Sequence, residues 1–207
     1  MTGLVLSKLL RSSAIPSAAG RSSFSGAPAQ PARGPIFFLS QSMERAMHPT
    51  RNTLDEKIRI QSVELLNKHL ATAIDLHAQV KQAHWNVRGA NFIAVHKLFD
   101  SVSEEVEAFS DLLAERAGGL GGTADGTIQV AAERTSLIVY PLGIADEQKH
   151  IFAVSGALAA FGEGVREASV LATNFGDVDT ADLFTQVSRG IDLQLWFVES
   201  HLANRID

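Results

Sequence analysis

Cysteine is absent from all 207 residues. Disulfides, thiolate zinc sites and thiol nucleophiles are thereby excluded. No apolar run reaches the roughly 20 residues that a membrane-spanning helix requires. Acid is missing from the first 43 residues, whose only charges are Lys8, Arg11, Arg21 and Arg33. The whole chain carries −5, so residues 44–207 carry −9. Such a body attracts cations and is poorly suited to gripping nucleic acid by itself. The glycines from Gly118 to Gly126 are followed by no Gly-Lys-Ser/Thr and preceded by no strand pattern, which removes the phosphate-loop reading. They mark a loop.

The most informative absence is of basic residues on one helix face. The stretch His84–Glu115 reads HWNVRGANFIAVHKLFDSVSEEVEAFSDLLAE. One helix should end at Arg88–Gly89. A second should run from near Asn91 to about Ala117, with Phe92, Val95, Phe99, Val102, Val106, Phe109 and Leu113 forming its apolar stripe. Opposite that stripe fall His96, Asp100, Glu104, Glu107, Asp111 and Glu115. Solvated helix faces usually alternate sign. This one sets acid four residues from acid, each pair costing a few tenths (about 0.3) of a kcal/mol unless a cation intervenes. The pairs His96–Asp100 and Asp111–Glu115, each at i,i+4, are natural ligands for a divalent transition metal.

Asp100 and Asp111 are eleven residues apart, about 16 Å along a helix, so no single ion reaches both pairs in one chain. Two antiparallel copies would bring His96 and Asp100 of one against Asp111 and Glu115 of the other, and a two-fold axis would make two such sites. His84, at the end of the preceding helix, can add a nitrogen. The spacing predicts a metal site shared between subunits.

These residues, within AHWNVRGANFIAVHKLFD and LLAERAGGLGG, resemble the Dps family of ferritin-like mini-ferritins. The likeness runs from about Met47 to the C-terminus. It implies an all-α, ferritin-like four-helix bundle with a short extra helix in the long crossover between helices two and three. It also implies a dodecameric shell in which iron (Fe2+/Fe3+) is oxidised at two-fold interfaces, with peroxide preferred as oxidant, and stored inside. By this resemblance His84, His96 and Asp100 are ligands from one subunit, and Asp111 and Glu115 come from its partner. Trp85 matches the family's tryptophan beside the site, and an ordinary core role fits it equally. Glu104 and Glu107 are candidates for nucleating ferric mineral. The expected setting is cytoplasmic and nucleoid-associated, with no membrane contact. The alternative function is DNA compaction, which in the family depends mostly on basic flexible tails.

Residues 1–46 are rich in Ser, Ala, Gly, Pro and Arg and read as an extension outside the 47–207 domain. Three readings fit: an organelle transit peptide, a basic arm that binds DNA phosphates non-specifically, or an untranslated leader before a start at Met43 or Met47. The last is favoured, because MHPTRNTL resembles the opening of many Dps chains. DNA binding is then expected to be weak without the extension.

Helix one is predicted to start near Thr53, with Thr53 and Glu56 as a capping box. Its stripe is Val63, Leu66, Leu70, Ala73, His77, Val80 and His84. His77 is expected to be a hydrogen-bonded, partly buried residue. Thr127–Arg134 reads as a short helix within the crossover. Helix three is expected over Asp146–Asn174, with Phe152, Leu158, Phe161, Val165 and Leu171 in the core and Glu147 and His150 at the surface. Gly156, Gly162 and Gly164 should weaken it and allow close approach. Asp179 is expected to cap a fourth helix ending near Leu202, with Leu193, Trp196, Phe197 and Leu202 in the core. By resemblance this end lines a three-fold iron pore, with Asp177 and Asp182 as candidates. The final residues, Asn204–Asp207, form no basic tail.

Overall fold

A computed structural model describes residues 47–202; the expectations for residues 1–46 and Asn204–Asp207 lie outside it. The described residues form five helices: α1 Glu56–Asn86, α2 Phe92–Gly119, α3 Ile128–Arg134, α4 Glu147–Phe175 and α5 Val178–Glu199. Four are long and α3 spans two turns, as the sequence pattern anticipates. None of them is long and apolar enough to cross a membrane.

The boundaries show which local bonds win. Thr53 does not cap α1. Asn52 Oδ1 accepts the Leu54 amide at 2.9 Å, which holds the chain in a side-chain-closed turn through that point. Asp55 is the cap, accepting from the Lys57 amide at 2.9 Å. At its other end α1 stops at Asn86 instead of reaching Arg88–Gly89, because the Arg88 amide leaves the helix to donate to Ala145 O at 2.8 Å. Thr127 caps α3 through the Val130 amide. Asp146 caps α4 through the Lys149 amide. α4 ends on Gly176, whose φ of 91° is the left-handed conformation that closes a helix without a Cβ clash. The next residue, Asp177, is the α5 cap in place of Asp179, which sits exposed in the first turn.

α1 packs chiefly on α2, and α4 on α5; α1 also lies on α4 and α3, and α2 on α5. Two contacts fix the relative directions. Asn91, just before α2, bonds to Glu147, the first residue of α4. Arg116, near the end of α2, bonds to Asp177, just after α4. α2 and α4 therefore run parallel, which the crossover carrying α3 makes possible.

The core is built around Phe99, Phe161 and Phe184, with Leu66, Leu76, Leu113, Ile151, Leu158 and Ile191 fully buried. The α2 stripe is buried as read, with Phe92 only partly so. On α4 the buried face is Ile151, Val154, Leu158, Phe161, Val165, Ala168 and Ala172. Phe152 and Leu171 are exposed, contrary to expectation. On α5 the buried face is Phe184, Val187, Ile191, Gln194 and Val198. Leu193, Trp196 and Phe197 are exposed there, and Leu202 is only partly buried. On α4 the cause is size: small residues occupy many inward positions, so ranking residues by size points to the wrong face. On α5 the buried face carries large residues of its own, so two apolar faces compete. Gly162 faces Ile191 and Gly164 faces His69, whereas Gly156 meets nothing.

Glu147 and His150 are also corrected: both are buried. His150 makes a 2.7 Å bond with the Tyr140 hydroxyl through Nδ1 and a 3.1 Å bond to Ile144 O through Nε2. Burial lowers its pKa. His150 thus fastens the crossover to α4, while Glu147 bonds to Asn91 before α2.

Candidate metal centre at the α1–α2 turn

The Val87–Asn91 turn brings the last turn of α1 against the opening of α2. His84 and His96 meet there, ring centroids 3.8 Å apart and planes 21° from parallel. His84 Nδ1 lies 2.8 Å from the His96 carbonyl oxygen, and His96 Nδ1 lies 2.9 Å from the His84 carbonyl oxygen. A carbonyl only accepts, so each Nδ1 carries the proton and donates. In the neutral rings both Nε2 lone pairs are then available. Ligating histidines are commonly oriented in this way, one nitrogen tied to a carbonyl and the other presented to the ion. Phe92 packs beside His96 at 5.1 Å, while Trp85 is 63% exposed, which removes the core reading of that indole.

Asp100 lies one helical turn beyond His96, with Oδ1 3.8 Å from His84 Nδ1. Lys81 Nζ donates to the same oxygen at 2.7 Å. That hydrogen bond, together with the lysine's charge, holds the Asp100 carboxyl below the usual carboxylate range. Lys81 escapes the acid-face reading of α2 because it stands on α1. It is three residues before His84, however, and so shares a helix face with it.

Farther along α2, Glu104, Glu107, Asp111 and Glu115 are exposed. Asp111 and Glu107 line a cavity of about 340 Å³ together with His77 and Ser110. His77 bonds through Nδ1 to Ser103 O at 3.0 Å and is the partly buried, hydrogen-bonded residue expected. Among the described residues, no three of His, Cys, Asp and Glu converge closely enough to hold one ion. The structure makes His84, His96 and Asp100 neighbours without converging them on one point, and Asp111 and Glu115 belong to no such cluster.

The pore candidates separate. Asp177 is only 1% exposed. It accepts from the Thr180 amide at 3.0 Å, from the Thr180 hydroxyl at 2.6 Å and from Arg116 at 2.8 Å. Burial pushes its pKa up, but these bonds and the Arg116 charge outweigh it, and the net shift is downward. It is a cap and an ion-pair partner, with no carboxylate to offer a pore. Asp182 is exposed.

The ferritin-like domain family matches residues 63–206. The DNA protection during starvation protein of Agrobacterium fabrum is 38% identical over 158 residues, 76% of this chain and 98% of that protein. The like-named protein of Mycolicibacterium smegmatis is 32% identical over 149 residues, covering 72% and 81% respectively. Among solved structures, DpsC from Streptomyces coelicolor superposes with a TM-score of 0.72 at 32% identity, covering 77% of this chain and 92% of that one. Dps from Microbacterium arborescens in the high iron form gives 0.69 at 32% identity, covering 77% of this chain and all of that one. This chain belongs to the Dps family of ferritin-like proteins.

Proposed function

We propose that the protein oxidises Fe(II) with hydrogen peroxide at sites shared between subunits and stores the Fe(III) as mineral inside a dodecameric shell, protecting DNA from oxidative damage. The observation that carries this reading is the His84–His96 pair. Two imidazoles donate from Nδ1 to each other's backbone, which leaves each Nε2 lone pair for a metal, with the Asp100 carboxylate adjoining His84. Nitrogen and oxygen donors of this kind suit ferrous iron. Iron is here a substrate: two Fe(II) give one electron each to a peroxide, whose O–O bond breaks, and two protons complete two waters.

The half-site needs further oxygen ligands. Asp111 and Glu115 of a two-fold neighbour are the candidates, because they are exposed on the same helix and too distant to serve their own chain. The exposed side chains of Phe152, Trp196 and Leu193 support assembly, since large apolar surface on a monomer commonly marks an interface. Glu104 and Glu107, exposed on the same face of α2, are proposed to seed mineral. Lys81 donates to Asp100 Oδ1, and Oδ2 is proposed to take iron while the ammonium steadies the carboxylate.

Complementation tests this. His96→Ala and Asp111→Ala should each abolish peroxide-driven Fe(II) oxidation. Shells reassembled from a mixture of the two variants should recover part of it, because some interfaces then receive an intact His96 and an intact Asp111. Unchanged rates in the single variants would leave the acidic face merely structural. Absence of recovery in mixed shells would reject the shared site. The second reading, a DNA-compacting protein with little oxidase role, draws on the four bases and no acid of residues 1–43.

A further inference from the structure

The metal-site imidazoles depend on the register of two helix ends, and a residue outside both helices sets that register. α2 opens without help of its own. Its cap residue, Asn91, makes no side-chain capping bond, and the first turn holds no acid. The missing acceptor comes from α4. Glu147 Oε2 accepts the Asn91 backbone N–H at 3.0 Å, and Oε1 accepts Asn91 Nδ2 at 3.0 Å. The carboxylate is buried and lies against the α-carbon of Gly89, where any Cβ would overlap it. One residue away, the Arg88 amide donates to Ala145 O at 2.8 Å. The short α1–α2 turn is thus held at three points by the start of α4. Across the turn stand His84 and His96, whose reciprocal bonds to each other's carbonyl tolerate little sliding of one helix past the other.

We propose that Glu147 is a positioning residue for the His84–His96 pair: by anchoring Asn91 it fixes the register in which both Nε2 atoms face a metal together. The metal part rests on the function proposed above, while the imidazole geometry stands without it. Outer residues that orient ligands typically change metal affinity by about 10–100-fold.

The test uses the full chain in four forms beside the wild type: Glu147→Ala, Glu147→Gln, Gly89→Ala and Asp146→Ala. Ring-15N-histidine NMR of frozen samples reports the tautomers of His84 and His96, and Co(II) titration followed by its visible bands reports affinity. Glu147→Ala should scatter the tautomers and weaken Co(II) binding about 10–100-fold. Gly89→Ala, which displaces the carboxylate without removing it, should do the same. Glu147→Gln, which keeps an acceptor for the Asn91 amide, should retain most of the pairing. Asp146→Ala removes the cap of the same helix without touching Asn91 and should leave both readouts unchanged. Intact Nδ1–H tautomers and wild-type affinity in Glu147→Ala and Gly89→Ala would overturn the proposal, as would an equal loss in Asp146→Ala. If the wild type takes no Co(II) while the tautomer changes occur as stated, positioning stands and the metal reading falls.

Discussion

The work of each imidazole here is set by what surrounds its two nitrogens. His84 and His96 spend Nδ1 on the backbone and keep Nε2, whereas His150 spends both on Tyr140 and Ile144. His69 is buried with its ring edge-on to Phe184 at 5.2 Å. Burial, aided by the charge of Lys68, lowers its pKa to about 4. Since this folded value lies below the free one, the native state binds fewer protons than the unfolded chain between the two. Stability is therefore full above about pH 6.5 and falls as pH drops towards about 4, by about 3 kcal/mol at most. Thermal melts from neutral to mildly acid pH should show that fall, and His69→Leu, which cannot titrate, should flatten it. An unaltered slope would place the acid sensitivity elsewhere. Asp177 acts lower down: its pKa is depressed, so its contribution is present above about pH 4 and is lost as pH falls below that.

Between helices, glycine decides how closely the elements approach. Gly190 of α5 faces the Phe109 ring of α2 so tightly that an added methyl would overlap it. Gly190→Ala should therefore destabilise by about 1–3 kcal/mol through overpacking. Gly156, in the middle of α4, is exposed and has nothing within 4 Å of an added methyl. Gly156→Ala should stabilise by up to about 1 kcal/mol, because alanine is the better helix former. Chemical denaturation of the two variants checks the opposite signs. Two glycines with the same helical context thus differ only in what stands opposite, which the local pattern cannot report. The same holds for caps. Asp146 and Thr127 are recognisable from their place before an apolar run. Glu147 capping α2 from 56 residues away is not.

At the scale of the whole molecule, charge is distributed along the chain before any folding. The first 43 residues carry four bases and no acid, and the remainder carries −9. A body of that sign repels phosphate, so DNA affinity should reside in the extension. Gel shifts at several salt concentrations should show the chain beginning at Met1 binding DNA and releasing it as salt rises. The chain beginning at Met47 should bind weakly at every concentration. Tight binding by the shorter chain would place a DNA surface on the bundle itself.

The amino-acid order by itself was enough for the helix count, the crossover helix, the α2 stripe and its opposed His, Asp and Glu residues. These follow from periodicity and like-charge spacing, which act over a turn or two. It was also enough for the family. Folding alone determined which faces of α4 and α5 are inside: on α4 alanine and glycine take inward positions that size would assign to Phe152, and on α5 the Phe184, Val187, Ile191 face goes inward in place of Trp196. It likewise buried Glu147 and His150, turned Asp177 from a pore candidate into a cap, and placed Lys81 on Asp100. Glu147 on Asn91, Arg116 on Asp177 and Lys81 on Asp100 join residues distant in the chain, and only packing brings each pair together.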